Sequence, residues 1–184
     1  MRVADLDGDG IGEAILAARS LARPRFGFPA QFLDIYGYRG GGWHRLLDGR
    51  EEAPPGAGAP RTMLDPAGTG FANRLVDSVL VVDLSGDGAP ELVVGILTAG
   101  AGPGPLELWI LSAPEGSLRT ELYERTTRGG DLAVRRDRLL FEFGVYGPVD
   151  PGCCPSLIER QVIGADPRTG KIRVLQRTQR RTVP

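Results

Sequence analysis

Leu75-Val76-Asp77-Ser78-Val79-Leu80-Val81-Val82 runs into Asp83-Leu84-Ser85-Gly86-Asp87-Gly88-Ala89-Pro90-Glu91 and then into Leu92-Val93-Val94-Gly95-Ile96-Leu97. Two apolar runs of strand length, rich in branched side chains, flank an acidic loop that contains glycines. Neither run has a helical period, so the stretch reads as two strands joined by a structured turn. The loop has a counterpart at Asp5-Leu6-Asp7-Gly8-Asp9-Gly10-Ile11-Gly12-Glu13, followed by the apolar Ala14-Ile15-Leu16. In both copies oxygen-bearing residues stand at the first, third, fifth and ninth positions, and a glycine follows the fifth. Such a loop, with a main-chain carbonyl at its seventh position, supplies most of the roughly six to eight oxygens that a hard cation such as Ca2+ takes. Two copies, each set before a strand-like run, make chance an inadequate account.

The remainder of the chain extends the β reading. Gln31 to Tyr38 and Trp43 to Leu47 read as strands around a Gly40-Gly41-Gly42 turn. After Val82 and the acidic loop come strands at Leu92–Leu97, Leu106–Leu111 and Leu118–Tyr123. They are separated by Ala99-Gly100-Ala101-Gly102-Pro103-Gly104-Pro105 and by the tight Pro114-Glu115-Gly116 turn. A further set follows without an acidic loop: Asp131–Val134, Leu139–Val145, Leu157–Ala165 and Lys171–Arg177. The expected fold is all-β, built of antiparallel four-stranded meanders that resemble about three propeller blades in an incomplete or open array. The units fall at 1–49, 75–126 and 127–184, with a Pro/Gly-rich loop or linker over 50–74 that includes Ala53-Pro54-Pro55-Gly56-Ala57-Gly58. Only about four residues precede the first acidic loop, where a full strand precedes the second. A missing leading strand, with earlier repeats or an export signal upstream, is therefore expected.

Composition narrows the function classes. With 184 residues, 41% of them apolar and 24% charged, the chain can bury a real core. A formal charge of −1 speaks against a general nucleic-acid or anionic-membrane binder. No apolar run is long enough to span a bilayer. The basic tail Lys171, Arg173, Arg177, Arg180 and Arg181 reads as a solvated edge strand whose charge discourages edge pairing.

The acidic loops and the strands after them resemble the FG-GAP (VCBS-type) repeats of integrin-α β-propellers and many secreted bacterial proteins. The likeness is specific over residues 1–18 and 75–98. It implies Ca2+ held between the first two strands of a blade. The ligands so implied are Asp5, Asp7, Asp9 and Glu13 with the Ile11 carbonyl, and Asp83, Ser85, Asp87 and Glu91 with the Ala89 carbonyl. Glu stands at the ninth position where the family often has Asp. Ser85 leaves the second loop with three carboxylates against four, so the second site is expected to be the weaker. The alternative is that both are tight acidic turns whose glycines serve positive φ angles.

Asp150-Pro151-Gly152-Cys153-Cys154-Pro155-Ser156 is similar to segments of small secreted or lipid-anchored actinobacterial proteins. The two adjacent cysteines could close a vicinal disulfide, pair with another chain, or stay as reduced, small buried thiols. Zinc lacks further ligands, since His44 is the only histidine. Gly164 to Lys171 is loosely like a phosphate loop, but its spacing is one residue too long and no helix follows, so it reads as a hairpin turn. Asp65 to Gly70 echoes the acidic motif without its later carboxylates, and Glu51-Glu52 reads as a solvated charge pair. No nucleophile can be assigned to His44. The aromatics Tyr36, Tyr38, Trp43, Trp109, Phe141, Phe143 and Tyr146 read as packing residues.

The expected function is an extracytoplasmic, calcium-binding β-repeat module that binds or scaffolds without catalysis, its partner an unknown protein or glycan. Two alternatives stand beside it. One is an accessory part of a secreted hydrolase, binding carbohydrate or peptide through exposed Trp43 and Trp109. The other is a structural module that self-associates through open sheet edges.

Overall fold

Strand-forming residues dominate a computed structural model that describes residues 1–19, 31–50, 52–56, 58, 60, 62–64, 74–99, 103–151 and 153–182. The strands are β1 (Arg2–Ala4), β2 (Glu13–Arg19), β3 (Gln31–Arg39), β4 (Gly42–Asp48), β5 (Arg74–Val82), β6 (Glu91–Ala99), β7 (Pro103–Ser112), β8 (Arg119–Arg125), β9 (Asp131–Arg135), β10 (Arg138–Val145), β11 (Leu157–Ala165) and β12 (Ile172–Arg181). They form three four-stranded antiparallel sheets, ordered β1-β2-β3-β4, β5-β6-β7-β8 and β9-β10-β11-β12, and the set is not closed. Each sheet is a simple meander, the topology that short connections between successive antiparallel strands favour. The leading strand missing from the sequence reading exists in short form, pairing Arg2 with Ile15 and Ala4 with Glu13.

The central sheet is buried on both faces, which is why its strands read as continuous apolar runs. Leu92, Val94, Ile96, Trp109 and Leu111 turn toward the first sheet and pack with Ile15, Leu33, Ile35 and Leu47. Val93, Leu106, Leu108 and Ile110 turn toward the third sheet and meet Leu139, Phe141, Ile163 and Ile172. Successive side chains of a strand point to opposite faces, so β6 and β7 feed two cores at once. The period breaks at Asp77, where a register shift between Val76 and Ser78 leaves the aspartate exposed.

Where it is described, the segment between the first two sheets packs on both of them. Met63 and Leu64 are fully buried in the first core, and Leu64 N–H donates to the Gly49 carbonyl at 2.7 Å. Thr120 of β8 donates through its main-chain N–H to the Pro55 carbonyl and through Oγ1 to the Pro54 carbonyl. Gly56 follows at φ 120°, and a Cβ there would lie 2.5 Å from the Thr120 carbonyl oxygen. Asp65 to Gly70, with its echo of the acidic motif, lies outside the described residues, as do Glu51 and Gly152.

At the chain end β12 is the edge strand the charge pattern predicts, and it runs on to Arg181. Arg173 pairs with Asp166, Arg180 with Glu142, and Arg177 with Glu124 of β8, the last tying the third sheet to the second. Gly164 to Lys171 forms the β11–β12 hairpin around Asp166, whose Oδ1 accepts from Arg168 N–H at 2.8 Å. No described helix is long and apolar enough to cross a membrane.

Candidate metal centre

The two acidic loops occupy equivalent places, the first joining β1 to β2 and the second joining β5 to β6. Each opens their sheet's first hairpin, so the ninth-position glutamate is also the first residue of the second strand. That placement buries Glu13 and Glu91, each 3% exposed, beside the fully buried Leu6 and Leu84. A buried carboxylate needs partners, and both glutamates find the same one. Glu13 Oε2 accepts from Leu6 N–H at 2.7 Å, and Glu91 Oε2 accepts from Leu84 N–H at 2.7 Å.

The correspondence continues around the turn. The first-position aspartate accepts from the sixth-position N–H: Asp5 from Gly10 at 3.0 Å, Asp83 from Gly88 at 3.1 Å. The third-position oxygen accepts from the fifth N–H, in Asp7 to Asp9 and in Ser85 to Asp87. The fifth-position aspartate accepts from the seventh N–H, Ile11 at 2.7 Å and Ala89 at 2.9 Å. Positive φ at Gly8 and Gly10 (74° and 88°) is matched at Gly86 and Gly88 (78° and 93°). Only glycine takes that backbone without strain, and the tight winding lets the side-chain oxygens accept from the loop's own N–H groups.

The loops differ in what is left over. In the first, ligand oxygens of Asp5, Asp7 and Glu13 lie within 4.8 Å of one another, the only such cluster among the described residues. Asp5 Oδ1 is buried there without a hydrogen-bond partner. An orphaned carboxylate oxygen among other carboxylates is a costly arrangement that a cation relieves. The donor set is all oxygen and fits a hard cation. In the second loop Asp83 is more fully engaged, with Oδ1 accepting from Gly86 N–H at 2.6 Å and from the Ser85 hydroxyl. Asp9 and Asp87, at the loop tips, are exposed.

Burial pushes the Glu13 carboxyl above the usual carboxylate range. The Leu6 N–H works against that shift, and the negative neighbours Asp7 and Asp9 add to it. Burial also raises Glu91, opposed by the N–H groups of Leu84 and Ser85 and by the Ser85 hydroxyl. In both, the protein environment alone leaves the charged form under-supported.

One participant has no signal in the sequence. Arg39, at the end of β3, donates from Nη2 to Asp7 Oδ2 at 2.7 Å, 32 positions away along the chain. Its guanidinium lies against Gly116 in the β7–β8 turn, where any side chain would overlap it. A surface hollow of about 630 Å³, lined by Asp7, Asp9, Tyr38, Arg39 and Glu115, opens beside it. The turn that carries Glu115 (φ 54°) belongs to the second sheet, so the first loop sits at a seam between sheets.

The second loop also sits at a seam. Ala165 N–H, from β11, donates to the Leu84 carbonyl at 3.1 Å. A cleft of about 530 Å³ lined by Asp7, Ser85, Glu91, Arg119, Thr169 and Lys171 runs between the two loops and the β11–β12 hairpin.

Other sequence candidates resolve differently. Trp109 is fully buried, with Tyr123 edge-on to it at 4.9 Å, so it cannot serve an exposed ligand face. Trp43 is 57% exposed beside Tyr38. Cys153 and Cys154 are exposed free thiols rather than buried ones. They follow a turn held by Asp150, which accepts from the N–H groups of Gly147 and Ser156. His44 is exposed on β4, its Nε2 3.0 Å from the Arg39 carbonyl.

Comparison with family models, with curated proteins and with solved structures finds no match for this chain.

Proposed function

We propose that this chain is a calcium-stabilised β-repeat module that binds or scaffolds without catalysis. The observation that carries the reading is the first loop's converging oxygens, with Asp5 Oδ1 buried and unpartnered. Its support is the repetition of one hydrogen-bond scheme in two loops at the same place in two sheets. The likeness to FG-GAP repeats rests on that motif and placement, and three meanders stacked face to face suit blades of an open array. Sites of this kind typically have dissociation constants of about 10⁻⁴ to 10⁻³ M. They fill where calcium is abundant, which supports work outside the cytoplasm.

Melting in chelator and in calcium tests the proposal. At about 10 mM Ca2+ such a site adds about 1.4 to 2.7 kcal/mol. In a chain of this size that raises Tm by about 3 to 10 °C. An identical Tm in both conditions removes the reading. A glycan- or peptide-binding surface on the first sheet is the second reading, and exposed Trp43 favours it. Buried Trp109 takes away the other half of its support.

A further inference from the structure

We infer that Arg39 is a positioning residue that competes with the ion at the first loop, holding that loop folded without calcium and lowering its calcium affinity. The inference rests on the calcium reading above. Asp7 is the third-position ligand of that reading, and its side chain is only 5% exposed. Its Oδ2 is already committed to the Arg39 guanidinium. The place of Arg39 is built in. It ends β3 in register with Gly42, and the bare backbone of Gly116 leaves room for the planar group.

Charge accounting gives the consequence. The first loop carries four carboxylates, Asp5, Asp7, Asp9 and Glu13, and Arg39 cancels one of them. The second carries three, Asp83, Asp87 and Glu91, and no ion pair reaches any of them among the described residues. Counted with its arginine, the first loop loses the electrostatic advantage that its sequence promises. Bound calcium would share Asp7 with a guanidinium that cannot deprotonate. At separations of about 4 to 5 Å in a water-like dielectric with ordinary salt, repulsion between a divalent ion and a guanidinium lowers affinity by about five- to tenfold. An arginine that merely oriented Asp7 for the ion would act in the opposite direction, since ligand-orienting partners raise affinity.

Calcium titration by calorimetry separates these cases. It uses the full chain carrying Asp87→Asn to weaken the second loop, with Arg39 intact, Arg39→Gln, Arg39→Met or Arg39→Lys. Removing the charge, in either Gln or Met, is expected to tighten calcium binding about five- to tenfold and to lower Tm in chelator. Lys keeps the charge and is expected to stay within about twofold of the parent. Unchanged or weaker binding in the neutral variants overturns the inference while leaving the calcium reading intact. No calcium binding in the unsubstituted chain or in any variant overturns both. The neutral pair guards against one variant failing to fold, and a purely structural arginine would not tighten binding when removed.

Discussion

Glu91 separates structural from ligand roles within one side chain. Its Oε2 accepts from Leu84 N–H at 2.7 Å and from Ser85 N–H at 3.3 Å, and Leu84 is 1% exposed. Glu91→Ala leaves the Leu84 donor buried without a partner, which costs about 1 to 3 kcal/mol. Ser85 adds less, because water reaches it. Each kcal/mol moves Tm by about 2 to 4 °C in a chain of this length, so the alanine variant is expected to melt about 2 to 12 °C lower in chelator. Glu91→Gln keeps an acceptor oxygen of the same reach and no longer buries a charge. In chelator it should melt at or above the parent. In calcium it should lose the increment that the second loop contributes, because the amide brings no charge to the ion. The assay is calorimetric melting of the three proteins in chelator and in saturating Ca2+. If Glu91→Ala melts within a degree of the parent in chelator, the buried hydrogen bond carries no stability. If Glu91→Gln keeps the whole calcium increment, Glu91 is not a ligand.

Asp48 predicts an acid-side effect. Arg50 and Arg45 hold its carboxyl below the usual carboxylate range, opposed only by burial. A depressed carboxyl contributes stability that is present above its unfolded pKa and is lost as pH falls through the folded one. Asp48→Asn should therefore lower stability at pH 7 and shrink the loss of Tm below about pH 4. Asp34 beside it is pushed up by burial and by Asp48, so the same change relieves a second carboxylate. Gly56→Ala should lower the denaturant midpoint by the equivalent of about 1 to 3 kcal/mol, since φ 120° suits glycine alone and the new Cβ meets the Thr120 carbonyl.

The sheets were legible because both signals that define them are local. Strand-length apolar runs and Gly/Pro turns placed eleven of the twelve strands to within a few residues, and the short β1 fell just before the first loop. The loops were legible for the same reason, since every main-chain bond to Asp5, Asp83, Glu13 and Glu91 joins residues at most seven apart. What the sequence hid is whatever depends on which sheet faces which. Trp43 and Trp109 have similar strand neighbourhoods, yet one lies on an outer face and the other between two sheets. Met63 and Leu64 sit in a segment whose composition reads as loop or linker, and both are buried in the first core. Arg39 carries no mark of its role, because pairing within the first sheet brings Asp7 to it and the stacking of the first two sheets brings Gly116.

Those long-range contacts also explain why the loops matter beyond their own hairpins. Arg39 ties the first loop to the β7–β8 turn, and the Ala165–Leu84 hydrogen bond ties the second loop to β11. Each acidic loop thus joins its own sheet to the next one in the stack. Main-chain bonds already set the form of each turn, so an ion there would add little to the hairpin itself. Its effect would fall on the joints, by neutralising carboxylates at the places where one sheet meets another. In an open stack no ring closure fixes the angle between sheets, and the two apolar cores, these joints and contacts such as Arg177–Glu124 resist sliding. Apolar cores are non-directional, whereas a coordinated ion between fixed oxygens is not. Calcium at the seams would therefore set the geometry of the stack more than its fold, which is the property a scaffold needs.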